Sequence, residues 1–213
     1  MKERTWKIIE KEEWASTWTH AIGVVLSIAA LCWVIWLEQN LTLATWIGLL
    51  IYAISLLLVY LSSTSYHAVR SPSLKFILQR IDHICIYFLI AGTHTPFALF
   101  FMDGPLLYGY LAVLWTMVGL GILYKVFFFQ RFPILSLVLY ILMGWMVVPI
   151  LPYIWDQIPV STFWWIFGGG LLYTSGTIFY RWESLVYHHA IWHVFVLGGS
   201  VAHFIGISQL AIN

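Results

Sequence analysis

Runs of apolar residues, each about as long as a helix needs to cross a bilayer, recur along the chain between short polar connections. Read as helices, they fall at roughly 20–37, 43–64, 84–102, 106–124, 133–151, 162–180 and 190–210. The pattern predicts an all-α integral membrane protein, a bundle of seven transmembrane helices forming a single membrane domain over residues 1–213. Small residues punctuate the later runs, as at Gly168-Gly169-Gly170, Gly176 and Gly198-Gly199-Ser200, where they let helix backbones approach closely. Residues 1–19 are different. They mix both charge signs with Trp6, Ile8, Ile9, Trp14 and Trp18, which suits either a short amphipathic helix on the membrane surface or a frayed tail. No cleavable signal peptide is expected, because the apolar segment that follows is too long for one.

Composition sharpens the reading. Hydrophobic residues make up 62% of the 213 and charged residues 9%, where a soluble domain carries about 25% charged. Ten basic and nine acidic side chains could not cover the surface of a soluble globule this size, so lipid is the solvent for most of the chain. Thirteen Trp suit a polytopic protein with indole rings at the membrane–water interfaces. A net charge of +1 excludes nucleic-acid binding through a broad basic face. Cys32 and Cys85 both fall in apolar runs and make no secreted disulfide framework.

The basic residues are segregated. Lys2, Arg4, Lys7 and Lys11 precede the first run, and Arg70, Lys75 and Arg80 lie between the second and third. Lys125 and Arg131 lie between the fourth and fifth, and Arg181 between the sixth and seventh. The alternate connections carry only Glu38, Asp103 and Asp156. The positive-inside rule then places residues 1–19 and the N-terminus in the cytoplasm and the C-terminus outside. That requires an odd number of crossings, and the apolar runs number seven.

Ionisable groups at membrane depth are costly and tend to mark sites. His67 ends the second run, with Ser63 one turn earlier on the same face. Asp82 and His83 open the third run, and His189 and His193 share a face of the seventh at i, i+4, the spacing at which two imidazoles grip one metal. Orientation gives His67, Asp82, His189 and His193 a similar depth. Three neutral imidazoles and an open position make a catalytic type of zinc site; Asp82 could then take a proton from water and Ser63 could hydrogen-bond a ligand or a substrate carbonyl. Spacing alone leaves the alternative open that these histidines are solvated and that Asp82 pairs with Arg80. His94 and His203 lie about 18 and 15 Å deeper and are expected to hydrogen-bond across helices, with a proton path as the sharper alternative. His20 could line the site or cap the first helix, and His188 points about 100° away from His189.

Several segments resemble the hemolysin III family in content and order: Glu12-Glu13, Thr19-His20 and Gly23, then Ser63-Thr64-Ser65-Tyr66-His67, Arg80-Ile81-Asp82-His83 and Ala91-Gly92-Thr93-His94-Thr95-Pro96-Phe97. Tyr173 to Tyr180 and His189-Ala190-Ile191-Trp192-His193 complete the likeness over nearly the full chain. That bacterial family is similar in turn to the progestin and adiponectin receptors and the alkaline ceramidases. The resemblance implies seven spans and a zinc site made of Ser63, His67, Asp82, His189 and His193, with His67, His189 and His193 as the metal ligands. His188 and His94 depart from the family pattern, which has Asn and Tyr there more often.

The leading expectation is a multi-pass protein of the bacterial inner (plasma) membrane that binds Zn²⁺ and hydrolyses a lipid at a ceramide-like amide bond. Asp82 and Ser63 are then the catalytic residues and a membrane lipid or fatty-acyl chain is the partner. The alternative is a receptor-like or regulatory protein that affects membrane state and holds a structural zinc. A carrier using His94 and His203 is disfavoured, since no internal repeats are visible. Cytolysis is the family's label rather than the chemistry expected here.

Overall fold

The computed structural model describes residues 2–129, 131 and 133–212. All regular structure among them is helical. In chain order the α-helices are α1 (Lys2–Trp36), α2 (Leu43–Ala68), α3 (Pro72–Phe101), α4 (Gly104–Phe128), α5 (Pro133–Gly144), the single turn α6 (Leu151–Ile154), α7 (Val160–Arg181) and α8 (His188–Ile212). Local signals set their ends. The Thr42 hydroxyl accepts from the Thr45 amide at 3.2 Å and caps α2. Pro72 occupies the first turn of α3, where a missing N–H costs nothing. Tyr187, at φ 62°, turns the chain into α8, and its amide donates to Glu12 Oε1 at 2.8 Å.

Six helical segments are long and apolar enough to cross a membrane: Ile8–Asn40, Leu43–Ala68, Pro72–Phe101, Gly104–Phe128, Ile134–Gln157 and His188–Ile212. The chain is thus a multi-pass membrane protein. The fifth of these is α5 continued through turns and short helices to Gln157. Helix α7 has 22 residues, ample for a crossing. It stands outside the six because Gly, Ser, Thr and Trp dilute its apolar residues.

Residues 1–19 do not make a separate surface helix. From Lys2 onward they are the first turns of α1, continuous to Trp36. The third helix likewise begins earlier than its apolar run, at Pro72, so Asp82 lies ten residues inside it and is 5% exposed.

Helix α3 runs through the middle of the molecule, with 61% of its apolar window buried against 11% for Ile134–Gln157. Around it, α2 packs on α1, α7 packs on α8, and α1 meets α8. Small residues set these distances. A methyl at Gly176 would sit 2.7 Å from Phe195, and one at Gly199 would sit 2.8 Å from Tyr173. One apolar core gathers α1, α2, α3 and α8, and a second gathers α3, α4 and the α5 segment. Outward faces carry exposed large apolar residues such as Trp18, Val25, Leu120 and Val194, which suits contact with lipid.

Because α5 packs thinly, two adjoining cavities of about 170 and 230 Å³ remain inside the bundle. They share His94, Gly144, Trp145, Gly170 and His203.

Candidate metal centre

Three imidazoles converge at the end of the bundle that carries the N-terminal turns. His67 comes from the last turn of α2, and His189 and His193 from the first two turns of α8. Ligand nitrogens of the three lie within 4.8 Å of one another. Their ring centroids are 4.7 to 5.0 Å apart. His67 is 4% exposed and His193 fully buried, with His189 between buried and exposed. Two helices supply the set, and side chains of α1 complete its surroundings.

The partners of the rings decide which nitrogens are available. His67 Nδ1 donates to Glu13 Oε2 at 3.0 Å, and the same oxygen accepts from Lys75 Nζ at 2.7 Å. His193 Nδ1 donates to the Ser16 carbonyl at 3.1 Å and lies 3.2 Å from Thr19 Oγ1. A carboxylate and a carbonyl can only accept, so each Nδ1 must carry the proton and each Nε2 keeps its lone pair. The Nε2 atoms of His67, His189 and His193 are all buried and have no hydrogen-bond partner among the described residues. Orphaned polar atoms at such depth are costly, and a cation shared by the three rings would satisfy them.

This donor set fits a metal. Neutral imidazole suits zinc and other late divalent ions, and three such ligands leave a position open. Two nitrogens on one tetrahedral zinc lie roughly 3.3 Å apart, so side-chain rotations would draw the cluster in from its present spacing. Hydrogen bonds from the far nitrogen to a carboxylate and a carbonyl are the outer supports that orient metal-bound histidines.

The other expected residues lie around this cluster. Ser63 is one turn before His67 on α2, 1% exposed, beside the Asp82 carboxyl. Its buried hydroxyl is placed to donate to that carboxyl. Asp82 is not one of the three converging ligands; it faces the cavity from α3, in a wall that His20 also lines. His188 is turned away, with Nδ1 3.1 Å from the Phe179 carbonyl. His94 and His203 hydrogen-bond across helices, His94 to Tyr110 and the Gly144 carbonyl, His203 to the Ile166 carbonyl at 2.9 Å.

Sequence reasoning missed Glu13, Ser16 and Lys75, and it left open whether His20 lines the site or caps the first helix. His20 stacks on His193 with centroids 3.4 Å apart and planes within 9°, and it meets Tyr60 edge-on. A signal was present. Glu13, Ser16 and His20 are spaced i, i+3, i+7, one face of a helix that would have to extend through residues 13–20.

A model of the family described as "Haemolysin-III related" matches residues 9–204, a stretch holding every residue of the site. The chain is 45% identical over 196 residues to the hemolysin-3 homolog of Bacillus subtilis (strain 168), covering 91% of this chain and 92% of that one. With hemolysin-3 of Bacillus cereus the identity is 41% over 195 residues, covering 91% and 89%. The human monocyte to macrophage differentiation factor is 25% identical over 204 residues, covering 92% and 83%. A family match over nearly the whole chain, together with two bacterial relatives above 40% identity, leads to one conclusion: this multi-pass membrane protein belongs to the haemolysin-III-related family.

Proposed function

We propose that the protein is a zinc-binding, seven-helix enzyme of the bacterial inner membrane that hydrolyses a lipid amide. The observation that carries this reading is the convergence of three buried, unpartnered Nε2 atoms beside an internal apolar cavity. In this reading α7 makes the seventh crossing, the N-terminus is cytoplasmic and the C-terminus is outside. Support comes from the charge pattern: Glu38, Asp103 and Asp156 fall in alternate connections from those that hold Arg70, Arg131 and Arg181, as the positive-inside rule requires of this topology.

His67, His189 and His193 would hold the zinc. When bound, the ion supplies Lewis acidity, polarising a carbonyl or acidifying a water. The chain's own groups do the rest. Asp82 takes the proton released as water adds to the amide carbon, and returns it to the nitrogen as the C–N bond breaks, leaving a carboxylic acid and an amine, which become carboxylate and ammonium when the acid proton passes to the amine. Ser63 donates its hydroxyl to Asp82 or to the substrate carbonyl oxygen. The apolar cavity walls take the acyl chain and keep bulk water out.

A second reading has support of its own. Helices α2 and α8 pack little on each other directly and are joined through long side chains, such as Tyr60 to Ser200 at 2.6 Å. A metal shared by His67 and the α8 pair would lock those helices, as a receptor-like or regulatory protein requires. Zinc content and amide cleavage measured on one detergent-purified preparation separate the two. Stoichiometric zinc with cleavage of a long-chain amide is the expected result. Zinc without cleavage across a broad lipid panel would establish the structural role, and absence of zinc would overturn both.

A further inference from the structure

The cavity that Asp82 faces holds a second ionisable group that the proposed chemistry does not use. Lys125, in the last turn of α4, is 1% exposed and lines this cavity with His83. A lysine near the end of a membrane helix ordinarily extends its ammonium outward to water. Lys125 turns inward. Its Nζ lies 3.1 Å from His83 Nδ1 and 5.3 to 5.8 Å from the ring centres of Phe129, Tyr124 and Tyr140. One imidazole nitrogen can accept one of the three ammonium protons, and the ring faces offer π density but no countercharge. No carboxylate comes within 4.0 Å of it among the described residues. More positive charge stands nearby, since the Arg80 guanidinium lies 5.7 Å from the same Phe129 ring. A buried cation of this kind is stable only with an anion or strong hydrogen-bond partners, and the space for one is the cavity itself.

The rest of the wall describes the remainder of the ligand. Apolar residues in the same lining include Ile86, Ile90, Leu137, Ile141 and Val196, and His94 is shared with the adjoining cavity. Polar side chains such as Ser136, Tyr173, Thr174 and Thr177 also line it, but among the described residues Lys125 is its one lysine or arginine and Asp82 its one carboxylate. That is the outline of a chain with a charged head.

We propose that Lys125, assisted by His83, anchors the anionic oxygen headgroup of a single-chain amphiphile whose hydrocarbon tail occupies the cavity. Carboxylate and phosphate share the required chemistry, and a free anion without a chain is the competing source. The headgroup anchor is distinct from the histidine cluster and does not depend on turnover, although the tail occupies the cavity that the proposed function gives to the substrate's acyl chain.

The test uses zinc-loaded full-length protein in non-ionic detergent, with radiolabelled tetradecyl phosphate and tetradecanol as equal-length probes. Wild type should bind the phosphate at least about tenfold tighter than the alcohol, as charge-assisted hydrogen bonds supply. Lys125→Met keeps the length and apolar contacts of the stem, so it should bind the alcohol as before and lose the preference; Lys125→Arg should retain most of it. Unlabelled tetradecanoate should compete, and inorganic phosphate at matched concentration should not. A preference that survives in Lys125→Met would assign the anion to the metal site and overturn the proposal. Competition by inorganic phosphate equal to that of the amphiphiles would also overturn it, in favour of a free-anion site. Should Lys125→Met fail to fold, the same comparison on zinc-stripped wild type decides, because a preference that disappears with the metal would assign the anion to the metal site and refute the anchor.

Discussion

Replacing Glu13 by Ala removes one oxygen that serves two donors, and the two losses have different sizes. The pair with Lys75 at 2.7 Å joins side chains that are 22% and 28% exposed, so solvent screens it and it contributes about 0.2–1 kcal/mol. The bond to His67 is more consequential, because that side chain is 5% exposed and its Nδ1–H would lose its acceptor. An unsatisfied buried donor costs about 1–3 kcal/mol. The ring would also be free to turn or to change tautomer, taking the Nε2 lone pair away from the other two histidines. Outer supports of metal-binding histidines typically account for about 10–100-fold in affinity. Glu13→Ala is therefore expected to weaken zinc binding by about that factor and to lower the unfolding temperature of both loaded and stripped protein. Glu13→Gln keeps an oxygen that can accept from His67 and should lose less than about tenfold. Lys75→Met removes only the screened pair and should leave zinc affinity nearly unchanged. Chelator competition in detergent measures the affinities. The reasoning fails if Glu13→Ala binds zinc within twofold of wild type, or if Lys75→Met loses as much as Glu13→Ala, since the carboxylate would then act through charge and not by orienting the ring.

Replacing His67, His189 or His193 singly by Ala should lower zinc content and thermal stability together, because a metal site absent from the unfolded chain couples binding to folding; metal analysis with parallel melting checks this, and unchanged content in His189→Ala would direct attention to His188. Asp82→Asn should keep zinc and the fold while cleavage of a long-chain amide falls about 10²–10⁴-fold; full activity in that variant would remove Asp82 from the chemistry. Single cysteines placed at Glu38, Asp103 and Asp156 in a cysteine-free background should react with an impermeant reagent from outside intact cells, and labelling only after lysis would reverse the orientation. Gly121→Ala should cost about 1–3 kcal/mol by overpacking, since the added methyl lies 2.7 Å from the buried Tyr87 ring; an unchanged melting temperature would show that α3 and α4 can separate there.

The chain's own order determined the helical class, the membrane environment and the rough place of each helix, because bilayer crossing imposes a length and an apolarity that any reader of the sequence can measure. The pairing of Ser63 with His67 and of His189 with His193 was equally legible, since i, i+4 spacing is a property of the helix alone. The reach of α1 back to Lys2 was not, because charged residues there broke the apolar run that marked the helix. Tertiary structure then decided what one-dimensional spacing cannot express. It brought α2 and α8, more than a hundred residues apart, close enough for ligand nitrogens of three histidines to lie within 4.8 Å of one another. It set Glu13 and Ser16 behind those rings and turned Lys125 inward to a cavity left by the thin packing of α5. Which face of a helix meets which neighbour follows from side-chain packing around α3, and only the folded bundle contains that information.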